Sequence, residues 1–434
     1  MRLMKWAAMS AAVAAAALVA ACGGSGSDGG NADVRLINAS AGYSSLDLTV
    51  NSASLSTGVA YGAAGNYGSV DITNSGTQVI AAGTTVISRT LSLLAGNKYS
   101  MIAYGWPNGM NYTLLQETEP TPAAGSAKLL VLNLAPDAGA LSVYLTPAAP
   151  VSGAAPFASG VLGGGGSGYL LTTQGTYHVR VTGSASTDVN TDVRLDIPAI
   201  TLSDTSVNTL ILTPTAGGVL VNAMTVVQTG AVAKYGGNNA RIRVVDSVLG
   251  AGNVPVVATR NGSTLLDTNA SAPVGAYQIV AASNDAINVT VNSIPLATIT
   301  PTLAAGSDYT VLVYGTQSAP VISVIADDNR LPVTNGYAKV RLINGASDPS
   351  QIMAMSLDFT SIASNVVPGS ASTPALVLAS STLASSLAVT TPSVIAPVFS
   401  QPTFNIANLG VYSVYMLANS AGNSNLVGQL VKDR

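Results

Sequence analysis

Short runs of aliphatic residues that end at Asn or Asp recur four times along the chain. The clearest run reads Val-Arg-Leu-Ile-Asn at residues 34–38 and returns unchanged at 340–344. Looser copies are Leu-Leu-Val-Leu-Asn at 129–133 and Ile-Arg-Val-Val-Asp at 242–246. Such runs predict strands with a buried face, and the closing Asn or Asp can start a turn. The closing positions are 95, 113 and 98 residues apart, which indicates a repeated unit.

This spacing predicts four β-domains after an N-terminal leader. Domains of about 100 residues can each bury an adequate core, and short strands separated by Gly, Asn and Pro are typical of β-sandwiches. The predicted fold class is therefore all-β, with tandem antiparallel β-sandwich domains of the immunoglobulin/transthyretin-like kind. The predicted segments are a lipoprotein signal peptide at 1–21, a Gly/Ser tether at 22–31 and sandwiches at 32–124, 126–235, 240–334 and 338–434.

The N-terminus predicts lipid anchoring. Arg2 and Lys5 precede an Ala-rich apolar stretch that ends in Val-Ala-Ala-Cys at 19–22, and this order of basic, apolar and small residues is that of a secretory signal. The last four residues resemble the bacterial lipobox, in which the cysteine is acylated. We therefore expect lipidation of Cys22 and attachment to a membrane. Ordinary secretion with an incidental cysteine is the alternative.

The surroundings of Cys22 narrow the expected compartment. An Asp directly after the cysteine would resemble an inner-membrane retention signal, whereas here Gly23 and Gly24 follow. We therefore expect a cell-envelope protein held at the outer membrane, on its periplasmic face or at the cell surface. Cys22 is the single cysteine, so the chain has no intrachain disulfide.

Composition removes one class of partner. Charged residues make up 9% of the chain and the formal net charge is −3, against about 25% charged residues in average soluble proteins. There is no basic excess to neutralise phosphates, so a nucleic-acid partner is not expected.

Candidate catalytic and metal-binding residues are sparse. His178 is the single histidine. It alternates along a predicted strand with apolar neighbours, so an outward-facing strand residue is favoured over a catalytic base. Glu117 and Glu119 are the only glutamates; they could serve glycoside hydrolysis, but a solvated domain boundary is favoured. Oxygen ligands at residues 327–329 could hold calcium, although a solvated turn is favoured. No catalytic residue, metal or cofactor is predicted.

A longer pattern suggests a family. The opening strand is followed by Gly-x-Tyr and then by Leu-x-Ala-Gly-x-x-Tyr-x-x-x-x-Tyr-Gly, at 93–105 and again at 303–315. This order resembles the bacterial domain of unknown function 4397, most closely in domains one and three. The family opening usually reads like Val-His-Ala-Ser-Pro-Asp. Asn38 stands where that histidine would be, so no site involving it carries over. The resemblance implies extracytoplasmic β-sandwich modules without an established activity.

One loop differs between the matching domains in a way that suggests recognition. Trp106, the only tryptophan outside the signal peptide, is followed by Pro-Asn-Gly and then by Tyr112. Pro-Asn-Gly predicts a tight turn, so Trp106 and Tyr112 form a possible ligand loop. The alternative is that Trp106 caps its own core.

These observations predict a non-catalytic, lipid-anchored envelope protein with a binding, adhesion or structural spacer role. Its expected partners are the membrane, through Cys22, and an unidentified envelope protein or glycan. A carbohydrate-binding accessory lipoprotein is the first alternative. A cell-surface hydrolase that uses His178 is the second.

Overall fold

The computed structural model describes residues 30–252 and 254–434. Within them the regular structure is β-strand apart from one 3-10 turn at Pro136–Ala138, which confirms the all-β prediction. The strands form eight sheets that pack in pairs, giving four sandwiches numbered here in chain order. The predicted signal peptide and Cys22 lie outside the described residues. The first strand begins at Asn31, inside the segment predicted as tether.

Sandwiches 1 and 2 occupy the first half of the described chain. The strands of sandwich 1 are β1 (Asn31–Asn38), β2 (Ser45–Val50), β3 (Ala53–Ala60), β4 (Gly68–Asp71), β5 (Gly76–Ala81), β6 (Thr84–Thr90), β7 (Lys98–Trp106) and β8 (Gly109–Gln116). Those of sandwich 2 are β9 (Ser126–Asn133), β10 (Leu141–Thr146), β11 (Ala158–Val161), β12 (Gly166–Thr173), β13 (Gly175–Gly183), β14 (Val193–Leu202), β15 (Val207–Pro214), β16 (Val221–Val227) and β17 (Val232–Tyr235).

Sandwiches 3 and 4 follow. The strands of sandwich 3 are β18 (Asn239–Leu249), β19 (Val256–Arg260), β20 (Ser263–Asp267), β21 (Gln278–Ala281), β22 (Ile287–Val291), β23 (Ile294–Pro295), β24 (Asp308–Thr316) and β25 (Ala319–Asp327). Those of sandwich 4 are β26 (Tyr337–Gly345), β27 (Met353–Leu357), β28 (Thr360–Val366), β29 (Ser370–Ala371), β30 (Ala375–Leu378), β31 (Ser380–Thr390), β32 (Phe399–Ile406), β33 (Val411–Asn423) and β34 (Leu426–Lys432).

All four sandwiches share one topology. In sandwich 1 the strand orders are β4-β1-β7-β8 and β3-β2-β5-β6, and the other three repeat this arrangement, with β17 added at one edge of sandwich 2 and with β29 and β30 both pairing with β26 in sandwich 4. The immunoglobulin order places the first, second, fifth and fourth strands together. The observed order differs from the immunoglobulin order. Of the two kinds of sandwich that were predicted, the transthyretin-like one therefore remains. One pairing in each sandwich departs from the antiparallel prediction, because the opening strand runs parallel to the second-last strand of the common arrangement, as β1 does to β7 and β26 does to β33.

The opening strands are buried on both faces, which explains their continuous apolar runs. On β1, Val34 and Leu36 point into the core of sandwich 1. Arg35 and Ile37 alternate with them and are 4% and 0% exposed, yet they point away from that core. The second face is covered by a neighbouring sandwich.

The sandwiches pack in two pairs through these second faces. Ile37 and Ile102 of sandwich 1 meet Ile211 and Met224 of sandwich 2 in one buried apolar cluster. At the equivalent interface of sandwiches 3 and 4, a second cluster contains Val245, Leu312, Ile343, Tyr415 and Leu417. Each pair is thus a stack of four sheets with three apolar layers between them.

Candidate binding site

The predicted recognition loop is a two-residue turn between β7 and β8. β7 ends at Trp106 and β8 begins at Gly109, and these two residues pair across the hairpin. Asn108 has φ +68°, a left-handed conformation that Asn tolerates in turns. Tyr112 lies farther along β8, where its partly buried ring packs against the core of sandwich 1. Trp106 and Tyr112 therefore have different surroundings.

Trp106 reaches beyond its own sandwich. Its indole Nε1 donates a hydrogen bond of 2.9 Å to Oδ2 of Asp137 in sandwich 2. The Arg330 guanidinium, from the connection between sandwiches 3 and 4, lies 4.6 Å from the ring centroid, close enough for a cation–π contact. Half-buried Trp106 thus joins the two pairs of sandwiches.

Asp137 is the centre of this junction. Its Oδ1 accepts a hydrogen bond of 2.8 Å from the backbone N–H of Leu331, and its backbone carbonyl accepts one from Arg434. Asp137 is 5% exposed. Burial raises the pKa of this carboxyl, while the hydrogen bonds from Trp106 and Leu331 and the charge of Arg434 oppose that shift. The carboxylate of Asp137 therefore contacts sandwich 1 and the connection between sandwiches 3 and 4, while its backbone carbonyl contacts sandwich 4.

A cleft of about 270 Å³ opens beside Trp106 and Asp137. Its other lining residues are mainly apolar and come from sandwiches 1, 2 and 4 and from the same connection: Tyr104, Gly105, Gly109, Asn111, Pro136, Pro214, Leu331, Pro332, Val333, Asn335 and Leu409. An apolar lining with a few convergent polar groups is typical of ligand sites. We call this space the junction cleft.

Charged residues are buried between sandwiches 3 and 4 in a reciprocal arrangement. Arg243 of β18 donates from Nη1 to Oδ1 of Asp433 at 2.7 Å. Arg341 of β26 donates from Nη1 to Oδ1 of Asp327 at 2.5 Å. Each arginine thus crosses to a carboxylate at the end of the last strand of the other sandwich. The expected solvated turn at Asp327 is wrong, because this side chain is buried by the neighbouring sandwich.

The pair formed by sandwiches 1 and 2 contains half of this arrangement. Arg35, equivalent to Arg243, donates to Glu117 Oε1 at 2.9 Å, and the two side chains are 4% and 1% exposed. The solvated boundary expected for Glu117 is therefore wrong, since sandwich 2 covers it. Both Arg35 and Glu117 belong to sandwich 1, so this ion pair does not cross to sandwich 2. In sandwich 2 the corresponding positions are the neutral residues Leu130 and Gln228, so these positions form no reciprocal pair of ionic contacts.

Asp328 and Asn329, the other two residues considered as calcium ligands, make internal contacts. Asp328 binds Arg330 and Lys339, and Asn329 is fully buried and donates to Asp308 at 2.7 Å. Burial acts to raise the pKa of Asp328, but hydrogen bonds and charge from Arg330 and Lys339 outweigh it and lower the pKa to about 2. Across residues 30–252 and 254–434, no group of three or more His, Cys, Asp or Glu is placed to hold a metal ion.

His178 lies on β13 beside acidic and basic neighbours. Its Nε2 is 2.8 Å from Oδ1 of Asp196, and Arg180 Nε donates to the same oxygen at 2.6 Å. The carboxylate is therefore shared with an arginine. Among the hydrogen bonds of the described residues, none joins His178 to a Ser or Thr hydroxyl, which a nucleophile–base pair would require.

The comparisons with known proteins decide the family. The family model described as "Domain of unknown function (DUF4397)" matches residues 32–144 and 240–355, which together exceed half of the chain. The chain belongs to the DUF4397 family. The predicted resemblance is confirmed, and both matched regions run from an opening strand into the next sandwich. No curated protein matches this DUF4397 chain.

A solved structure was also found among the structural matches of this DUF4397 protein. It is the crystal structure of a candidate cell adhesion protein from Parabacteroides distasonis ATCC 8503, with 10% sequence identity and a TM-score of 0.16. The match covers 71% of the DUF4397 chain and 98% of the other chain.

Sequence reasoning identified Trp106 but missed its main partner. Asp137 belongs to a Pro-Asp pair that follows the opening strand of sandwich 2, where the family pattern also carries Pro-Asp, and this was the available signal. Arg330 had no comparable signal. In the described part of this DUF4397 protein, no helix is long and apolar enough to cross a bilayer.

Proposed function

We propose that the protein is a non-catalytic, lipid-anchored component of the cell envelope that binds a partner at the junction cleft. The observation that carries the proposal is the construction of the cleft, in which an apolar lining surrounds Trp106 and the buried carboxylate of Asp137. Anchoring rests on the lipobox-like residues at 19–22. Outer-membrane attachment rests on Gly23 and Gly24.

The lining favours an apolar or aromatic group of the partner as the ligand. Pro136, Pro214 and Pro332 are rigid, and the rings of Trp106 and Tyr104 have few rotors, so little conformational entropy is lost on binding. Asn111, Asn335 and the polar atoms of Asp137 would orient the group. A protein partner and a glycan both offer such a group, and the experiment separates them.

The test fills the cleft. Val333 lines the cleft and is 51% exposed. The larger side chain of Val333→Trp should therefore fill the cleft without disturbing a packed core. Val151 is 71% exposed and does not line the cleft, so Val151→Trp is the matched control. Both variants, with the wild type and Cys22→Ser, are expressed with their own leader, cross-linked in the envelope and recovered. The same proteins are applied to a glycan array.

Wild type and Val151→Trp should recover the same envelope protein or bind the same glycan. Val333→Trp should bind the partner at least about tenfold more weakly, because the tryptophan ring occupies the space that the ligand would fill. Cys22→Ser should leave the membrane fraction. Equal capture by Val333→Trp and the wild type would contradict binding at the cleft, and membrane retention of Cys22→Ser would contradict the anchor.

A further inference from the structure

The two paired interfaces differ at one corresponding point. In sandwich 1 the backbone N–H of Asn38 donates to the carbonyl of Ala63, and in sandwich 3 that of Asp246 donates to the carbonyl of Pro273. Residues two positions before these acceptors are therefore equivalent. They are a tyrosine, Tyr61, in sandwich 1 and a serine, Ser271, in sandwich 3.

The facing sandwiches differ at the same place. Thr213 of β15 pairs with Asn222 of β16. The equivalent positions in sandwich 4 are Leu417 of β33 and Val427 of β34, which also pair with each other. Two polar side chains in one interface are thus replaced by two apolar ones in the other.

In the first pair a side chain fills this space. The Tyr61 hydroxyl lies 2.9 Å from Oγ1 of Thr213 and 3.4 Å from Nδ2 of Asn222. The Lys234 ammonium is 5.3 Å from the ring centroid. In the second pair, the corresponding Ser271 is too small to cross the gap. It lines a cleft of about 500 Å³ together with Leu417, Val427 and neighbouring residues of both sandwiches.

A carboxylate lines this cleft where the other repeats have an amide. The Nδ2 of Asn38 donates to the backbone carbonyls of Tyr43 and Val59, and the equivalent Asn133 and Asn344 each donate to two carbonyls in the same way. Asp246 has no such donor. Its Oδ1 accepts from the N–H of Val248 at 3.0 Å, and Asp246 is among the residues that line the cleft.

The cleft is otherwise uncharged along its described lining. Hydroxyl and amide groups come from Thr268, Ser271, Asn419, Ser420 and Gln429, and the remaining lining is apolar or small. Burial raises the pKa of Asp246 to about 6, against the lowering effect of hydrogen bonds from Val248 and Thr268. No lining side chain neutralises this carboxylate, so a positively charged ligand would bind in the cleft more tightly than a neutral one.

We propose that the cleft between sandwiches 3 and 4 binds a small organic amine with an aromatic or apolar body. The ammonium donates to the Asp246 carboxylate. The body occupies the space that Tyr61 fills in the equivalent interface and packs against Leu417 and Val427. This site is separate from the junction cleft and does not depend on its function.

The test uses phenethylamine as probe and 2-phenylethanol as its neutral analogue, with binding measured by calorimetry and amide shifts on the full chain. Phenethylamine should bind at least about tenfold more tightly than 2-phenylethanol, as a charge-assisted hydrogen bond implies. Its affinity should fall about tenfold from pH 7.5 to pH 5, because Asp246 takes up a proton across that range while the amine stays charged.

Three variants locate the site. Asp246→Asn restores the amide of the other repeats and should bind phenethylamine about tenfold more weakly than the wild type. Ser271→Tyr copies the residue of sandwich 1 and should block both probes. Asp71→Asn removes an exposed carboxylate of sandwich 1 and should bind phenethylamine as the wild type does.

Equal affinity for the amine and the alcohol would overturn the proposal, and so would unchanged amine binding by Asp246→Asn. Absence of phenethylamine binding to the wild type at millimolar concentration would also overturn it. Thermal melting checks the fold of each variant. If Ser271→Tyr fails to fold, Asp246→Asn and the neutral probe still decide.

Discussion

Single residues at the junction carry contacts that their own sandwich cannot supply. The indole N–H of Trp106 is bound by Asp137, and its ring lies against Arg330. Both partners come from other parts of the fold. Replacing Trp106 with another aromatic residue should therefore destabilise the fold less than truncating it to alanine.

We expect Trp106→Phe to lower the free energy of unfolding by about 1–2 kcal/mol, because it removes a donor to a buried carboxylate but keeps a ring against Arg330. Trp106→Ala should cost about 3 kcal/mol, since the ring contacts are lost as well. Urea unfolding of both variants measures the difference. A wild-type transition in Trp106→Ala would contradict the structural role of this side chain.

At the scale of strands, the opening and closing strands of each sandwich place the buried charges. Arg243 and Asp433 face each other because β18 and β34 belong to sheets that pack across the interface. Burial acts to lower the pKa of Arg243, but the negative charges around it, including Asp433, raise it above its ordinary value. The guanidinium therefore stays ionised while buried.

Replacing one partner should leave a buried charge without its hydrogen-bonded counter-charge, so Arg243→Leu or Asp433→Gln alone should cost about 3–5 kcal/mol. The double variant removes both charges together. It should recover most of the loss, because no unpaired charge remains. A double-mutant cycle from denaturant unfolding gives the coupling energy. Additive losses would show that the two residues act independently.

Sequence patterns predicted the strands better than the surroundings of their polar residues. The alternation of Leu46, Leu48 and Val50 marks β2, because one face of that strand meets a core. Glu117 and Asp327 looked solvated because charged side chains beside Gly and Pro usually are. Their burial depends on a second sandwich packed against the first, and a local pattern does not encode that contact. The contact between Trp106 and Asp137 could not be predicted from the sequence for the same reason.

At the scale of the whole molecule, the sandwich is a repeat but the paired stack is the larger packing unit. Each sandwich has its own core, as expected from its length. The outer faces of β18 and β24 carry Val245 and Leu312, which are 0% exposed only because sandwich 4 covers them. Separation of the pair would expose this apolar layer together with Arg243 and Asp327.

We therefore expect the fragment 240–334 to fold poorly or to self-associate, although it has the length of a domain, whereas 238–434 should give a monomeric, cooperative unit. Sedimentation and a dispersed amide spectrum measure this. The control is the fragment 240–334 with Val245→Thr and Leu312→Thr, whose outer face is more polar and should associate less. A monomeric, well-dispersed spectrum from the unmodified fragment 240–334 would contradict the expectation.

The parallel pairing of each opening strand determines at which end of a sandwich the chain leaves it. In sandwich 1 the chain enters β1 and leaves β8 at the same end, because the starts of β1 and β7 are paired and the end of β8 pairs with the start of β7. Sandwiches 3 and 4 repeat this return. In sandwich 2, β17 runs back along β16 and takes the chain to the opposite end.

Within the described residues, β17 therefore supplies the net advance along the strand direction inside a sandwich, and its four residues span about 13 Å. When the chain leaves each sandwich at the end where it entered, added sandwiches lie side by side and the array becomes wider. When it leaves at the opposite end, added sandwiches lie end to end and the array becomes longer. We expect this protein to present a wide, low surface to its surroundings, close to the bilayer to which it is proposed to be anchored through lipidated Cys22.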